Sequence, residues 1–159
     1  MQKGSKMIFN IVEDINYRDM LEGQIFEVIV YLVEKGEEFS ITANIKGINF
    51  NPEIPEAIAE SFSHFTLFTL ANYTYTTIEL TETHISFETG FGAENFGSVV
   101  TIPLYAIFQI VIEESILFLN PTATVDKYFI KQDPVVAQDQ ESRSMNAFKM
   151  NRKNKDLLN

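Results

Sequence analysis

At Gly36 the hydrophobic period of the chain changes, and afterwards it returns to a helical period only in short pieces. Before Gly36, Leu21, Ile25, Val28, Ile29 and Leu32 fall at i, i+4, i+7, i+8 and i+11, which is one face of a helix. Phe26, Val30 and Val33 make a second apolar strip beside it. The spacing predicts a helix over 17–35, with Asp14 or Asn16 as its cap and Gly36 as its stop. The β-branched run Ile29–Val30 and Val33 keeps a strand open as the alternative. A helix apolar on two strips has room for two partners, its own sheet and a second subunit.

After Gly36 the segments alternate or cluster Ile, Val, Phe, Tyr and Thr between Gly, Pro and Asn. FSITANI (39–45) places Phe39, Ile41, Ala43 and Ile45 on one side. Asn49 to Pro55 reads as a loop, followed by a short helix over 55–62 opened by Pro55. Residues 65–80 read as two strands turning near Ala71–Asn72. In 84–91, Ile85, Phe87, Thr89 and Phe91 face one way, and the glycines and Asn95 of 90–98 make a hairpin loop. A strand to about Ile102, a break at Pro103, an apolar strand or short helix to Ile112, SILFL (115–119) and a piece near Tyr128–Ile130 complete the body. One helix followed by short antiparallel strands predicts an α+β domain, a small barrel or two packed sheets.

A second boundary falls at Ile130. Residues 1–130 carry 6 basic and 18 acidic residues, a net of −12, whereas 131–159 carry 6 basic and 4 acidic, a net of +2. The later segment is too poor in apolar residues to offset its ordering entropy, so 131–159 is expected to be a flexible tail behind a 1–130 body. Its end interleaves Arg143, Lys149, Arg152, Lys153 and Lys155 with Met145, Phe148, Met150, Leu157 and Leu158. Three readings stay open for it: a solvated end, a docking motif for an acidic or grooved partner, or a segment that folds back on its own body.

The chain total of −10 disfavours nucleic acid, whose phosphates need a basic surface. With no cysteine there are no disulfides, thiol nucleophiles or thiolate metal sites. No apolar run approaches the ~20 residues of a spanning helix, and no signal peptide is recognisable, so a cytoplasmic protein is expected. His64 and His84 stand outside any ligand spacing, so no metal is expected. Glu37–Glu38 and Glu113–Glu114 are sequence neighbours, which on a strand point to opposite faces and make no carboxylate dyad. Gly90-Phe91-Gly92 lacks the rest of a phosphate loop. These readings predict a protein that is not an enzyme and uses no cofactor.

One stretch carries a resemblance. ISFETGFGAENFGSVVTIPLYAI (85–107) resembles the SspB family, stringent starvation protein B, in which an alternating strand ends in Phe-Gly-Gly. There a short hairpin and Val/Ile-Pro-Leu/Phe-x-Ala-Val/Ile follow. Phe91-Gly92 and Ile102-Pro103-Leu104-Tyr105-Ala106-Ile107 stand at those places, and the likeness extends over roughly 17–119. It departs at Ala93, where the family has a second glycine, in a longer hairpin, and in a linker that is short and near neutral.

The resemblance implies an SH3/Sm-like body and a ClpXP protease adaptor for ssrA-tagged proteins. It places Phe87, Thr89 and Phe91 at groove positions, with Phe50 and Leu117 as walls. It puts the unfoldase-docking end at Phe148, Lys149, Met150, Arg152, Lys153, Leu157 and Leu158. It makes helix 17–35, with Leu21, Ile25, Val28, Ile29 and Leu32, the dimer helix of a homodimer. The partners so implied are an unfolded or tagged peptide and a Clp-type unfoldase. The 12-residue spacer Lys131–Ser142 would span roughly 20 Å as a coil. The alternative from composition is a small acidic dimeric chaperone of the secretion type, holding an extended client.

Overall fold

The computed structural model describes residues 10–130, so the tail and its docking residues lie outside the described residues. A 3-10 turn (Ile11–Glu13) leads into helix α1 (Ile15–Glu34). Asp14 caps it, its carboxylate accepting from the Asn16 N–H at 3.2 Å. Gly36, at φ 71°, ends it: Glu37 N–H donates to Leu32 C=O at 2.9 Å and Gly36 N–H to Val33 C=O at 3.1 Å. That double closure satisfies carbonyls the last turn leaves open. The helical reading of this stretch therefore holds over the strand alternative.

The strands are β1 (Phe39–Asn44), β2 (Asn49–Asn51), β3 (Phe65–Leu70), β4 (Glu79–Leu80), β5 (His84–Phe91), β6 (Phe96–Pro103), β7 (Ile107–Ile112) and β8 (Ser115–Leu119). Two short helices, α2 (Glu56–Ala59) and α3 (Asn72–Thr76), lie in the connections. All pairings are antiparallel, in two four-stranded sheets ordered β3-β1-β7-β8 and β2-β6-β5-β4. The barrel alternative is thus corrected to two open sheets. Among the described residues no strand pairing joins one sheet to the other, and the second sheet ends on strands of three and two residues.

One core serves all three layers. Ile25, Ile29 and Leu32 of α1 pack with Phe39, Ile41 and Ala43 of β1, Phe68 and Leu70 of β3, Ile85 and Phe87 of β5, Val100 and Ile102 of β6, and Ile107 and Ile110 of β7. The expected dimer face is corrected by the same packing. Leu21, Ile25, Ile29 and Leu32 are buried within this chain, and Val28 is half-buried against the core.

The second half of 65–80 also differs from expectation. In place of a strand turn, Asn72 takes φ 54° and its N–H donates to Glu38 Oε2 at 2.7 Å, opening α3. The hydroxyls of Thr76 and Thr77 donate back to the carbonyls of Tyr73 and Thr74 at 2.6 and 2.7 Å. Threonines that read as strand formers serve here as local back-bonders. β1 stops at Asn44 rather than Ile45. The buried Asn44 side chain donates to Ala123 C=O and Asp126 Oδ1, both at 2.9 Å, and accepts from Lys46 N–H at 3.0 Å. Asn120 does the same for the next segment: it donates to the carbonyls of Tyr105 and Ile107 and accepts twice from Thr122. These two asparagines fix the 3-10 turns Pro121–Thr124 and Asp126–Phe129, and Phe129 is the last residue of the compact unit. No helix among the described residues is long and apolar enough to cross a membrane.

Candidate peptide-binding site

The β5–β6 hairpin sets the site. Its loop turns through Gly92 at φ 74° and Asn95 at φ 54°. Gly90 has no side chain because Asn95 folds over it: a Cβ there would stand 1.8 Å from Asn95 Oδ1. The turn fixes the register Phe91↔Phe96, Thr89↔Ser98 and Phe87↔Val100, so alternate side chains of both strands face inward.

Going outward along that row, burial falls. Phe87 is 1% exposed, its ring 5.5 Å from that of Phe68. It is core, which corrects its assignment to a groove. Phe91 is half-buried, with ring centroids at 5.5 Å from Phe62, 5.8 Å from Phe50 and 6.4 Å from Phe68. Phe50 and Phe62 stack at 5.5 Å with planes 18° apart. Edge-to-face and offset contacts of this kind hold aromatic rings beyond their area burial. Phe50, Phe62 and Phe91 are all only partly buried and so form an apolar patch open to solvent. Phe62 arrives on the segment after α2, which packs on the hairpin where Gly92 leaves room for Ile58.

Beside the patch is a cleft of about 600 Å³, lined in part by Asn51 and Gly90, the chain neighbours of Phe50 and Phe91. Its lining includes Pro52, Tyr73, Glu88, Thr89 and Ser98. Ser98 Oγ donates to Pro52 C=O at 2.9 Å and ties the end of β2 to β6. Tyr73 Oη donates to Glu88 Oε1 at 3.1 Å, and that carboxylate pushes the tyrosine pKa up. The polar lining is hydroxyls, amides and one carboxylate, a set suited to hydrogen-bonding a peptide backbone. Among the described residues no strand pairs beyond β2 of the second sheet, whose Asn51 lines the cleft, or beyond β3 of the first, whose Leu67 is 61% exposed.

The structure therefore brings Phe50 and Phe91 together, adds Phe62, and sets Thr89 in the adjoining cleft. It does not bring Leu117 there. Leu117 is on β8, at the far edge of the first sheet from β3, with β1 and β7 between. Its assignment as a groove wall is corrected: an apolar residue on a late strand says nothing of which sheet the strand joins. Phe62 was visible only as one aromatic among several, with no periodicity to mark it as a wall. The chain matches no protein-family model and no curated protein.

Proposed function

We propose that this protein is a non-enzymatic adaptor that holds an extended peptide, of the ssrA-tag type, and hands the attached protein to a Clp-type unfoldase. The observation that carries the reading is the half-buried triad Phe50, Phe62 and Phe91 beside a polar cleft, together with two strand edges that are unpaired among the described residues. A sheet edge offers a peptide main-chain hydrogen bonds, and an aromatic pocket beside it selects alternate side chains. The end of the C-terminal segment, where basic and apolar residues interleave from Arg143 to Leu158, is the part that engages the unfoldase in this reading. Linking the two activities in one chain raises the effective concentration of cargo at the protease.

The test is fluorescence anisotropy with a labelled ssrA-type tag peptide of the protein's own source. Saturable binding is expected, weakened roughly tenfold or more by Phe91→Ala, as for an aromatic anchor, and little changed by Leu117→Ala. Absence of saturable binding, or equal binding by Phe91→Ala, overturns the reading.

A further inference from the structure

Register sets two rows of side chains on one face of the first sheet. Leu67, Thr42, Gln109 and Leu119 are partners across β3, β1, β7 and β8, and Thr69, Ser40, Val111 and Ile116 are the next such row. Ile41, Phe68 and Ile110, which alternate with them, are in the core, so both rows point away from it. The outer face of an antiparallel sheet is ordinarily polar and solvated. Here none of the eight residues is charged, and Leu67, Ile116 and Leu119 are 61, 60 and 53% exposed.

The two ends of this face differ in charge. Glu38 and Glu113 stand one alternation beyond Ser40 and Val111, in a cleft whose lining also includes Ser40, Thr69 and Val111. At the opposite end, Asn44 stands one alternation beyond Thr42 and pairs with Phe65. There Asn44 Nδ2 and Lys46 Nζ donate to the Asp126 carboxylate, and His64 Nε2 lies 2.9 Å from it. The His64 ring stacks on Phe65 at 4.5 Å. One end is thus acidic, and the other carries Lys46 and His64 around a carboxylate they already hold.

We propose that this face packs on the same face of a second copy of the chain. A two-fold axis lying across the strands, between the two rows, sets each row over the other row of the second copy. Ile116 and Leu119 of one copy then meet Leu119 and Ile116 of the other. The same axis carries the acidic end of each copy to the Lys46–His64 end of the other. That charge match selects a second copy in this arrangement, because a body of net −12 opposed at other surfaces brings carboxylates together. An axis along the strands instead places Glu38 and Glu113 of both copies at one end. Four strands ~4.8 Å apart and the seven residues Glu38 to Asn44 at ~3.4 Å each make a face of about 20 by 24 Å. Two such faces bury roughly 1,000 Å², the low end for specific association, so the dimer forms in the micromolar range. The buried face of α1 takes no part in it, and Phe50 and Phe91 lie on the second sheet.

Sedimentation equilibrium of the full chain from about 1 to 300 µM reads the association. A monomer–dimer equilibrium is expected. Ile116→Lys on β8 and Leu67→Lys on β3 should each raise the dissociation constant tenfold or more, since each puts like charges into the contact. Both positions are largely exposed, so thermal melts of the two variants should match the parent chain at dilution. Tyr31→Ala, on the exposed side of α1, should leave the constant unchanged. Glu113→Gln should weaken the dimer by about threefold, because it removes one partner of the charge match. A monomer at every concentration leaves the face to another occupant. A dimer sensitive to Ile116→Lys but not to Leu67→Lys is an edge pairing at β8, and one sensitive to neither lies elsewhere. A dimer strengthened by Glu113→Gln has its acidic ends together. Each of these results overturns the proposal.

Discussion

The carboxylate of Asp126 accepts from Asn44 Nδ2 at 2.9 Å and from Lys46 Nζ at 3.1 Å, and His64 Nε2 stands 2.9 Å from it. These bonds hold its pKa down to about 2. On α1 the opposite happens. Burial, and then the neighbouring charge of Asp19, push Glu22 up to about 7, with Arg18 opposing. Arg18 itself pairs with Asp19 at 3.0 Å, and its guanidinium lies 4.4 and 4.7 Å from the ring centroids of Tyr105 and Tyr128. The two groups act on stability in separate windows. Asp126 binds its proton more weakly folded than unfolded, so its contribution is present above pH ~4 and is lost as pH falls toward 2. Glu22 binds its proton more tightly folded, so stability drops as pH rises from its unfolded value of 4.5 to about 7. Glu22→Gln should therefore raise stability at pH 8 by about 1 kcal/mol, after discounting for solvent screening, and leave it unchanged at pH 4. Asp126→Asn should flatten the acid limb and leave the neutral limb in place. Thermal melts of the three proteins across this range check both signs; a Glu22→Gln gain that is equal at pH 4 and pH 8 would show a packing effect instead.

At the scale of elements, what the sequence made legible was local chemistry. Asp14 and Gly36 bracket α1 because a cap and a left-handed stop are made by the residues that occupy them. The β5–β6 hairpin was legible for the same reason, through Gly90, Gly92 and Asn95. Elements made by distant partners were not. Asn49–Asn51 reads as loop and becomes β2 only because it pairs with Val99–Thr101. The turn at Asn72 becomes α3 with the help of Glu38, 34 residues upstream. The candidate site divides along the same line. Alternation put Phe87, Thr89 and Phe91 on one face, correctly, but depth along that face depends on Phe68 from β3 and Phe62 from beyond α2. The hairpin itself yields a sharp expectation. Gly92→Ala places a side chain at φ 74°, with its Cβ 3.2 Å from Ile58 Cδ1. It should cost about 1–2 kcal/mol in chemical denaturation. Because Ile58 lies in α2, which precedes Phe62, tag-peptide affinity should fall with it. A loss of stability with unchanged affinity would separate the hairpin from the aromatic patch.

Over the whole body, charge and packing pull against each other. A net of −12 on residues 1–130 repels itself, so cohesion must come from the shared apolar core. That core has no seam between helix and sheets. Ile25, Ile29 and Leu32 belong to the same cluster as residues of β1, β3, β5, β6 and β7, so the buried face of α1 is part of the core of the sheets. An isolated helix of this length is marginal in water. The described body should therefore unfold in one cooperative step, with the far-ultraviolet helical signal and the near-ultraviolet tyrosine signal lost together. Tyr105 and Tyr128, both in contact with Arg18 of α1, make the second signal report on the helix–body contact directly. Ile29→Ala removes a side chain with no solvent exposure from the middle of that contact. It should cost about 2–5 kcal/mol and lower both midpoints by the same amount, roughly 8–20 °C. Were the tyrosine signal to melt well below the helical one, α1 would hold its fold independently, and the single-core description would fail.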